Sequence, residues 1–170
     1  MLAAYEAPDA AQRAVRARML EFIDAHPRDA HLRSSLEGHL TASALVLDAE
    51  RERVLLTFHR KLGRWLQLGG HCDGDANLLG VAWREVVEES GVVPRAISAA
   101  PVDLDVHEIP ARPGEPAHLH LDTRYLVALP PGARVAASEE SLELAWFAPD
   151  EARGLDLDRS LQRLLDVVFD

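Results

Sequence analysis

One stretch near the middle of the chain constrains its fold more than any other. Residues 70–92 read GHCDGDANLLGVAWREVVEESGV, with a helix-forming run between two glycines. A helix here should stop at Gly91, because glycine readily adopts the left-handed conformation that caps a last turn. At about 100° per residue, Glu85, Glu88 and Glu89 share one side of that helix. The sequence therefore predicts a loop followed by a helix, from about Asn77 or Leu78, that presents three carboxylates together.

These three carboxylates indicate a site for a divalent cation. Like charges three and four residues apart destabilise an isolated helix, and a bound cation would offset that repulsion. Carboxylate oxygens are also the ligands that hard cations such as Mg²⁺ and Mn²⁺ prefer. A solvated acidic face is the simpler reading of the triplet alone, because exposed glutamates are common. The residues around the triplet decide between the two readings.

The spacing resembles the Nudix box. That pattern is Gly, five residues, Glu, seven residues, Arg-Glu, an aliphatic residue, any residue, Glu-Glu, any residue, Gly and an aliphatic residue. The loop and helix have the lengths that the box requires, and chance agreement at so many spaced positions is very improbable. The matching positions are Gly70, Arg84, Glu85, Val86, Glu88, Glu89, Gly91 and Val92.

One position departs from the box. Ala76 stands where the box has its first Glu. In the family that carboxylate lies near the metal ions or braces the loop, and Asp73 and Asp75 are adjacent acids that could substitute for it. Because of Ala76, a Nudix-like binding module with little or no catalysis stays open as an alternative to an enzyme.

The resemblance implies a fold and a function. The fold is an α+β, Nudix-type α/β/α sandwich with a mixed β-sheet. The function is hydrolysis of a diphosphate bond, in a nucleoside diphosphate derivative or a similar small phosphorylated compound, with Mg²⁺ or Mn²⁺ as cofactor. As metal ligands the family pattern suggests Glu85, Glu89, the carbonyl of Gly69 and, as a further ligand or the base, Glu88.

The same resemblance suggests catalytic roles. Arg84 would orient the helix carboxylates through an ion pair. The general base is open, because members of the family take it from different places. Its candidates are Glu88, Glu89, Glu139 and Glu140.

Two further segments alternate polar and apolar residues. In a strand such residues project from opposite faces, so each polar set shares one face, and pairing as a hairpin would bring both sets to the same face. A solvated face is about as good a reading as a functional one, although three histidines are unusual on a wet face. A third alternating set indicates only a polar side of an earlier strand. The sets are Asp103, Asp105 and His107; His118, His120 and Asp122; and His39, Thr41 and Ser43.

The segment HLHLD also resembles part of the His-x-His-x-Asp motif of metallo-β-lactamase-like zinc hydrolases. The match is incomplete, because Thr123 stands where that family places a further His. A zinc hydrolase is therefore the rival enzyme class. As substrate-binding candidates we name His71, at the mouth of the predicted metal site, with Arg64, His118, His120 and Asp122.

Length and composition limit the remaining possibilities. The chain of 170 residues is long enough for a single domain, residues 1–170, with a helical extension over residues 1–35. A net charge of −10 disfavours long nucleic acids, and no apolar run is long enough to span a membrane. The N-terminus lacks the pattern of a secretory signal, so we expect a soluble, cytoplasmic protein acting on a small molecule. Its first helix should cover one side of the domain or form a homodimer seam.

Overall fold

The computed structural model describes residues 2–139 and 141–170. A 3-10 turn at Leu2–Ala4 precedes four α-helices and eight β-strands. The helices are α1 Ala10–Ala25, α2 Leu78–Ser90, α3 Pro149–Arg153 and α4 Arg159–Phe169. The strands are β1 Gly38–Leu47, β2 Val54–His59, β3 Arg64–Leu66, β4 Leu68–His71, β5 Ala96–Ile97, β6 Asp103–Ile109, β7 His118–Ala128 and β8 Ser141–Phe147.

The eight strands form one mixed sheet. Strand β1 lies at its centre and pairs in parallel with β7, while the other pairings are antiparallel. Helices α1 and α2 pack over one face of the sheet, and α3 and α4 cover part of the other. This α/β/α sandwich with a mixed sheet is the predicted fold, which is thereby confirmed.

Strand β1 is buried along its whole length, and its two faces differ. Leu40, Ala42, Ala44 and Val46 face the core beneath α1 and α2. The opposite face begins with a polar half and continues with an apolar half that packs under α4. The polar half therefore lies where no helix covers the sheet. Its residues are His39, Thr41 and Ser43, followed on the same face by Leu45 and Leu47.

The helix predicted from about Asn77 or Leu78 to Gly91 is α2, within one residue of its expected bounds. Asp9 caps α1, and its side chain accepts a hydrogen bond from Gln12 N at 2.7 Å. The sequence of residues 65–68 also predicts one short strand, and this prediction is wrong in detail. There are two strands, β3 and β4, which pair with different partners, β2 and β1. Strand β5 and helix α3 are too short to have a sequence period and were not predicted.

Candidate active site

Helix α2 carries the glutamates and is capped at both ends. The Asn77 side chain accepts a hydrogen bond from Gly80 N at the first turn. Gly91 has φ +70° and donates its N–H to Val87 O, which is the predicted left-handed cap. The buried side packs on the sheet through Leu78, Val81, Ala82 and Val86.

Gly69 and Gly70 bring backbone and carboxylates into direct contact. Gly69 N donates to Glu89 Oε2 at 2.7 Å. Gly69 has φ +156°, and a Cβ there would lie 2.5 Å from Ser43 Cα. A Cβ on Gly70 would lie 2.5 Å from Glu85 Oε2. The double glycine is therefore required both for the conformation of β4 and for the approach of the glutamates.

Arg84 ties the helix to strand β4. Its Nη2 donates to His71 O at 2.8 Å and to Glu85 Oε1 at 2.9 Å. Its Nε lies 3.7 Å from Glu88 Oε1. One guanidinium thus orients two of the three carboxylates.

The three carboxylates differ in exposure. Glu89 is buried, the side chain of Glu85 is 13% exposed and that of Glu88 is 61% exposed. Burial raises the pKa of Glu85, because the charged form loses its hydration, although the Arg84 ion pair acts in the opposite direction. A divalent cation beside Glu85 would favour its charged form. The donor set therefore fits a hard cation at this place.

The glutamates open onto a cavity of about 840 Å³, within the range of small-molecule sites. Gly69, Gly70 and all three glutamates line it. So do polar side chains of β1, β6 and β7 on the uncovered half of the sheet. Basic groups at its rim include Arg33, His59, Arg64 and Arg112.

The loop before α2 shows what accompanies Ala76. Ala76 is exposed, and Asp75 is occupied in the turn, where its Oδ1 accepts a hydrogen bond from Asn77 N at 2.8 Å. Asp73, with φ +49°, lines the cavity. Of the two adjacent acids, Asp73 is thus the one that faces the glutamates' cavity.

Strands β6 and β7 form the predicted hairpin, and their polar sets share one face. His107 pairs with His120 and Asp105 with Asp122. The parallel pairing of β1 with β7 then adds the third polar set, because His39 pairs with His120. Strand β4 brings in His71 opposite Thr41.

This arrangement brings five histidines together on one face of the sheet, which we call the histidine floor. They are His39, His71, His107, His118 and His120. Ring centroids of His39 lie 5.0 Å from His71, 4.8 Å from His120 and 5.0 Å from His118. Burial lowers the pKa of His71 to about 4 and that of His120 to about 2, with neighbouring positive charges adding to both shifts. These two rings are therefore neutral at pH 7.

Beside the histidines lies a buried charge network. Arg124 pairs with Asp122 at 3.0 Å, Asp103 at 3.2 Å and Asp105 at 3.4 Å. Although burial alone would lower it, the pKa of Arg124 is raised by these carboxylates. From α4, Arg163 reaches Asp103 at 2.8 Å. The network fixes Asp122, which also accepts hydrogen bonds from Thr41 and Ser43.

Sequence reasoning did not select Arg124 or Arg163. A signal for Arg124 was present, because it continues the alternation of His118, His120 and Asp122 by one more step. Arg163 had no comparable signal, since in the sequence it is one polar residue among several in an otherwise ordinary amphipathic helix.

The other predicted site residues lie at different depths. Arg64, His71, His120 and Asp122 line the cavity. His118 is buried and its Nδ1 lies 2.9 Å from Pro116 O. Glu139, in the segment before β8, also lines the cavity, and Glu140 lies outside the described residues.

A comparison with family models identifies the fold. Residues 38–166 match the NUDIX domain model, which covers most of the chain. The chain belongs to the Nudix family. Its enzyme class is that of the Nudix-type pyrophosphohydrolases, as the box predicted. The metallo-β-lactamase-like alternative is wrong, because HLHLD lies inside the continuous strand β7 of a Nudix sheet.

Solved Nudix structures share the fold at low sequence identity. A MutT NUDIX hydrolase from Burkholderia pseudomallei has a TM-score of 0.62 at 23% identity, covering 78% of this chain and 98% of its own. The NUDIX domain of Shewanella oneidensis NrtR, complexed with ADP ribose, has a TM-score of 0.61 at 19% identity, and the match covers 89% of this chain and 94% of the NrtR domain. The E. coli dihydroneopterin triphosphate pyrophosphohydrolase has a TM-score of 0.61 at 19% identity, and the match covers 75% of this chain and 92% of that protein.

No curated protein matches the sequence. Among the residues that the structure describes, no helix has the length and apolarity to cross a membrane.

Proposed function

We propose that this Nudix protein hydrolyses the diphosphate bond of a nucleoside diphosphate derivative or a similar small phosphorylated compound, with Mg²⁺ or Mn²⁺ as its cofactor. The observation that carries the proposal is the contact of Glu85 and Glu89 with the Gly69–Gly70 backbone at the wall of a substrate-sized cavity. It combines oxygen donors with room for a ligand.

The residues that would hold the cation are Glu85, Glu89 and the carbonyl of Gly69, with Glu88 as a further ligand. A divalent cation bound there supplies neutralisation of phosphate charge and a lowered pKa for the attacking water. Arg84 holds Glu85 and Glu88 in place through its ion pairs. Because Arg84 also bonds to His71 O, the helix and β4 keep one relative position.

The general base is proposed among Glu88 and Glu89 of the box helix and Glu139 and Glu140 of the segment before β8. Glu88 is the most exposed of the box glutamates, which suits proton exchange with water. Glu139 lines the cavity from the segment before β8, and its neighbour Glu140 is the remaining candidate. Whichever of these glutamates acts as the base would have to lie within hydrogen-bond reach of the attacking water.

Binding of the phosphorylated substrate is assigned to cationic and polar groups of the same cavity. Arg64 lies at the rim, where its only ion-pair partner among the described residues is Asp158, at 4.0 Å. His71 and His120 line the floor, Asp122 is held there by Arg124, and the buried His118 lies beside His120, with ring centroids 5.2 Å apart. The local basic groups offset the net charge of −10 at one site.

Fold relatives favour this substrate class. The NrtR NUDIX domain is complexed with ADP ribose, and a fold relative from C. elegans is an Ap4A hydrolase. Both ligands named there contain phosphoanhydride bonds. We therefore place nucleoside diphosphate derivatives first among the substrates.

The test is a panel of diphosphate compounds incubated with Mg²⁺, with both products identified by mass. The panel should include ADP-ribose, dinucleoside polyphosphates, nucleoside triphosphates and non-nucleotide diphosphates. We expect cleavage of a phosphoanhydride bond in at least one of them. Tight binding of panel members without release of any product would instead support the binding-module alternative raised by Ala76.

A further inference from the structure

Three histidines from three strands meet beside the glutamate site. One ring nitrogen from each of His39, His71 and His120 lies within 4.8 Å of the other two. The ring centroids form a nearly equilateral triangle with sides of 5.0, 4.8 and 5.0 Å. Strand register produces this grouping, because His39 pairs with His120 and lies two residues from the partner of His71.

The trio contains buried nitrogens without hydrogen bonds. Neither ring nitrogen of His39 makes a hydrogen bond of normal geometry among the described residues, and neither does Nε2 of His120, although the Ser35 backbone approaches the His39 ring closely enough to raise its pKa. His39 is 2% exposed. Buried polar atoms are nearly always satisfied, and an exception calls for a missing ion, water or ligand. Unbonded nitrogens in two adjacent rings, those of His39 and His120, point to one common ligand.

We propose that His39, His71 and His120 form a second cation site that binds a transition-metal dication, Zn²⁺ in particular. Three imidazoles are a known zinc donor set, which leaves a fourth position open to water or substrate. Nitrogens around a tetrahedral zinc lie about 3.3 Å apart for Zn–N bonds of about 2.0–2.1 Å. Small rotations of His71 and His120, both only partly buried, would close the trio to that spacing.

The surroundings agree with neutral imidazole ligands. The pKa of His39 is lowered by burial and by His118, in the same direction as the pKa values of the other two rings. Arg33, at the same cavity, opposes a cation near His71, and Asp73 favours one.

The two sites differ in chemistry and are independent in argument. The glutamate site offers oxygen donors to hard cations, whereas the trio offers nitrogen donors to borderline ones. The zinc site goes beyond the proposed function, since it rests only on the imidazoles. If zinc binds there, substrate phosphate would contact the open coordination position of the zinc ion and would not contact His71 and His120 directly. His71 and His120 line the same cavity as the glutamates.

The experiment measures Zn²⁺ binding to metal-free protein by calorimetry, with excess Mg²⁺ present to occupy the glutamate site. The parent, Glu85→Gln/Glu89→Gln, His71→Gln and His120→Gln are compared. His107→Gln is the matched control, because His107 is on the same floor, beside His120, yet outside the trio. Co²⁺ absorption spectra report the coordination number separately.

We expect one Zn²⁺ per chain in the parent, in the glutamate double variant and in His107→Gln. In His71→Gln and His120→Gln the affinity should fall by about 100-fold, since loss of even an outer partner costs ~10–100-fold. Equal zinc binding in His71→Gln and the parent would overturn the proposal, as would loss of zinc only in the glutamate variant. Mg²⁺-dependent turnover without a histidine-dependent zinc site would defeat this inference alone.

Discussion

The box helix and the histidine floor face the same cavity, yet they manage crowded ionisable groups in opposite ways. Burial raises the pKa of Glu85, whereas it lowers the pKa values of His71 and His120. Each region therefore disfavours its own charged form. On the helix, Glu85 either takes up a proton or has its charge neutralised by a hard cation. On the floor, the imidazoles of His71 and His120 stay neutral, and each keeps a nitrogen lone pair that can bind a metal ion. One cavity thus presents two donor chemistries.

The two regions also differ in what holds them. The glutamates are oriented by Arg84 and by the glycine backbone of β4. The histidine floor adjoins the Arg124 network and contains unsatisfied nitrogens. We infer that the first region is held by Arg84 and the β4 backbone, and the second by the Arg124 network beside it. The predictions below test that difference.

The largest expected effect is on catalysis by the helix region. Glu89→Gln keeps the size of the side chain but removes its charge, so Mg²⁺-dependent turnover of the best panel substrate should fall by about 100-fold or more, the scale of one lost charge-stabilising group. Steady-state kinetics measure it, with circular dichroism to check the fold. Glu21→Gln, an exposed change on α1, is the control. Full activity in Glu89→Gln would remove the helix from the mechanism.

The next effect is on the stability of the floor. Arg124→Met leaves the buried Asp122 without a cation and Asp103 with Arg163 alone, which should cost about 3–5 kcal/mol in the free energy of unfolding. Urea denaturation measures it. Arg153→Met breaks three pairs that Arg153 makes at the surface, and its effect should be much smaller. Equal losses in both variants would show that the network does not organise the floor.

A smaller loss is expected at the glycine backbone that meets the helix. Gly69→Ala adds left-handed strain and an overlap with the Ser43 backbone, together about 3 kcal/mol. Gly63→Ala, with φ +62° and no atom within 4 Å of the added Cβ, carries the strain alone, about 1–2 kcal/mol. Thermal or urea unfolding compares the two. If Gly63→Ala costs as much, the close approach at Gly69 is not what requires glycine.

The smallest effects are opposite pH dependences in metal-free protein. Because the folded pKa of His71 is about 4, against an ordinary 6.5, the stability it contributes is present above pH 6.5 and is lost as the pH falls toward 4. His71→Gln should therefore flatten that decline. The raised pKa of Glu85 acts the other way, since its contribution is present below pH 4.5 and is lost as the pH rises through the folded pKa.

Glu85→Gln should accordingly raise the melting temperature of metal-free protein at pH 7, and Mg²⁺ should stabilise the parent more than this variant. Melting curves between pH 4 and 8 measure both changes. Parallel curves for the parent and both variants would contradict the contrast between the two regions.

Local patterns were sufficient to predict the helix region. The box spacing, the cap at Gly91 and the side of α2 that carries Glu85 and Glu89 all follow from contacts within a few turns of chain. The hairpin of β6 and β7 was also accessible, because alternation fixes which residues share a face. Those parts of the fold and of the site are set by neighbours in sequence.

The floor could not be predicted in full because it depends on distant pairing. Thr41 and Asp122 are 81 residues apart, and only the parallel register of β1 with β7 places His39 beside His120. No local signal reports such a register. For the same reason no function was predicted for the polar set of β1, and Arg163 on α4 could not be linked to Asp103.

The most direct test of the account is a pair of crystals, one grown with Mn²⁺ and one with Zn²⁺, whose anomalous difference maps locate each ion. In the manganese crystal the account predicts an ion at Glu85, Glu89 and the Gly69 carbonyl. In the zinc crystal it predicts an ion at His39, His71 and His120. Box glutamates turned into solvent, with no ion density beside Gly69 in the manganese crystal, would contradict the central claim.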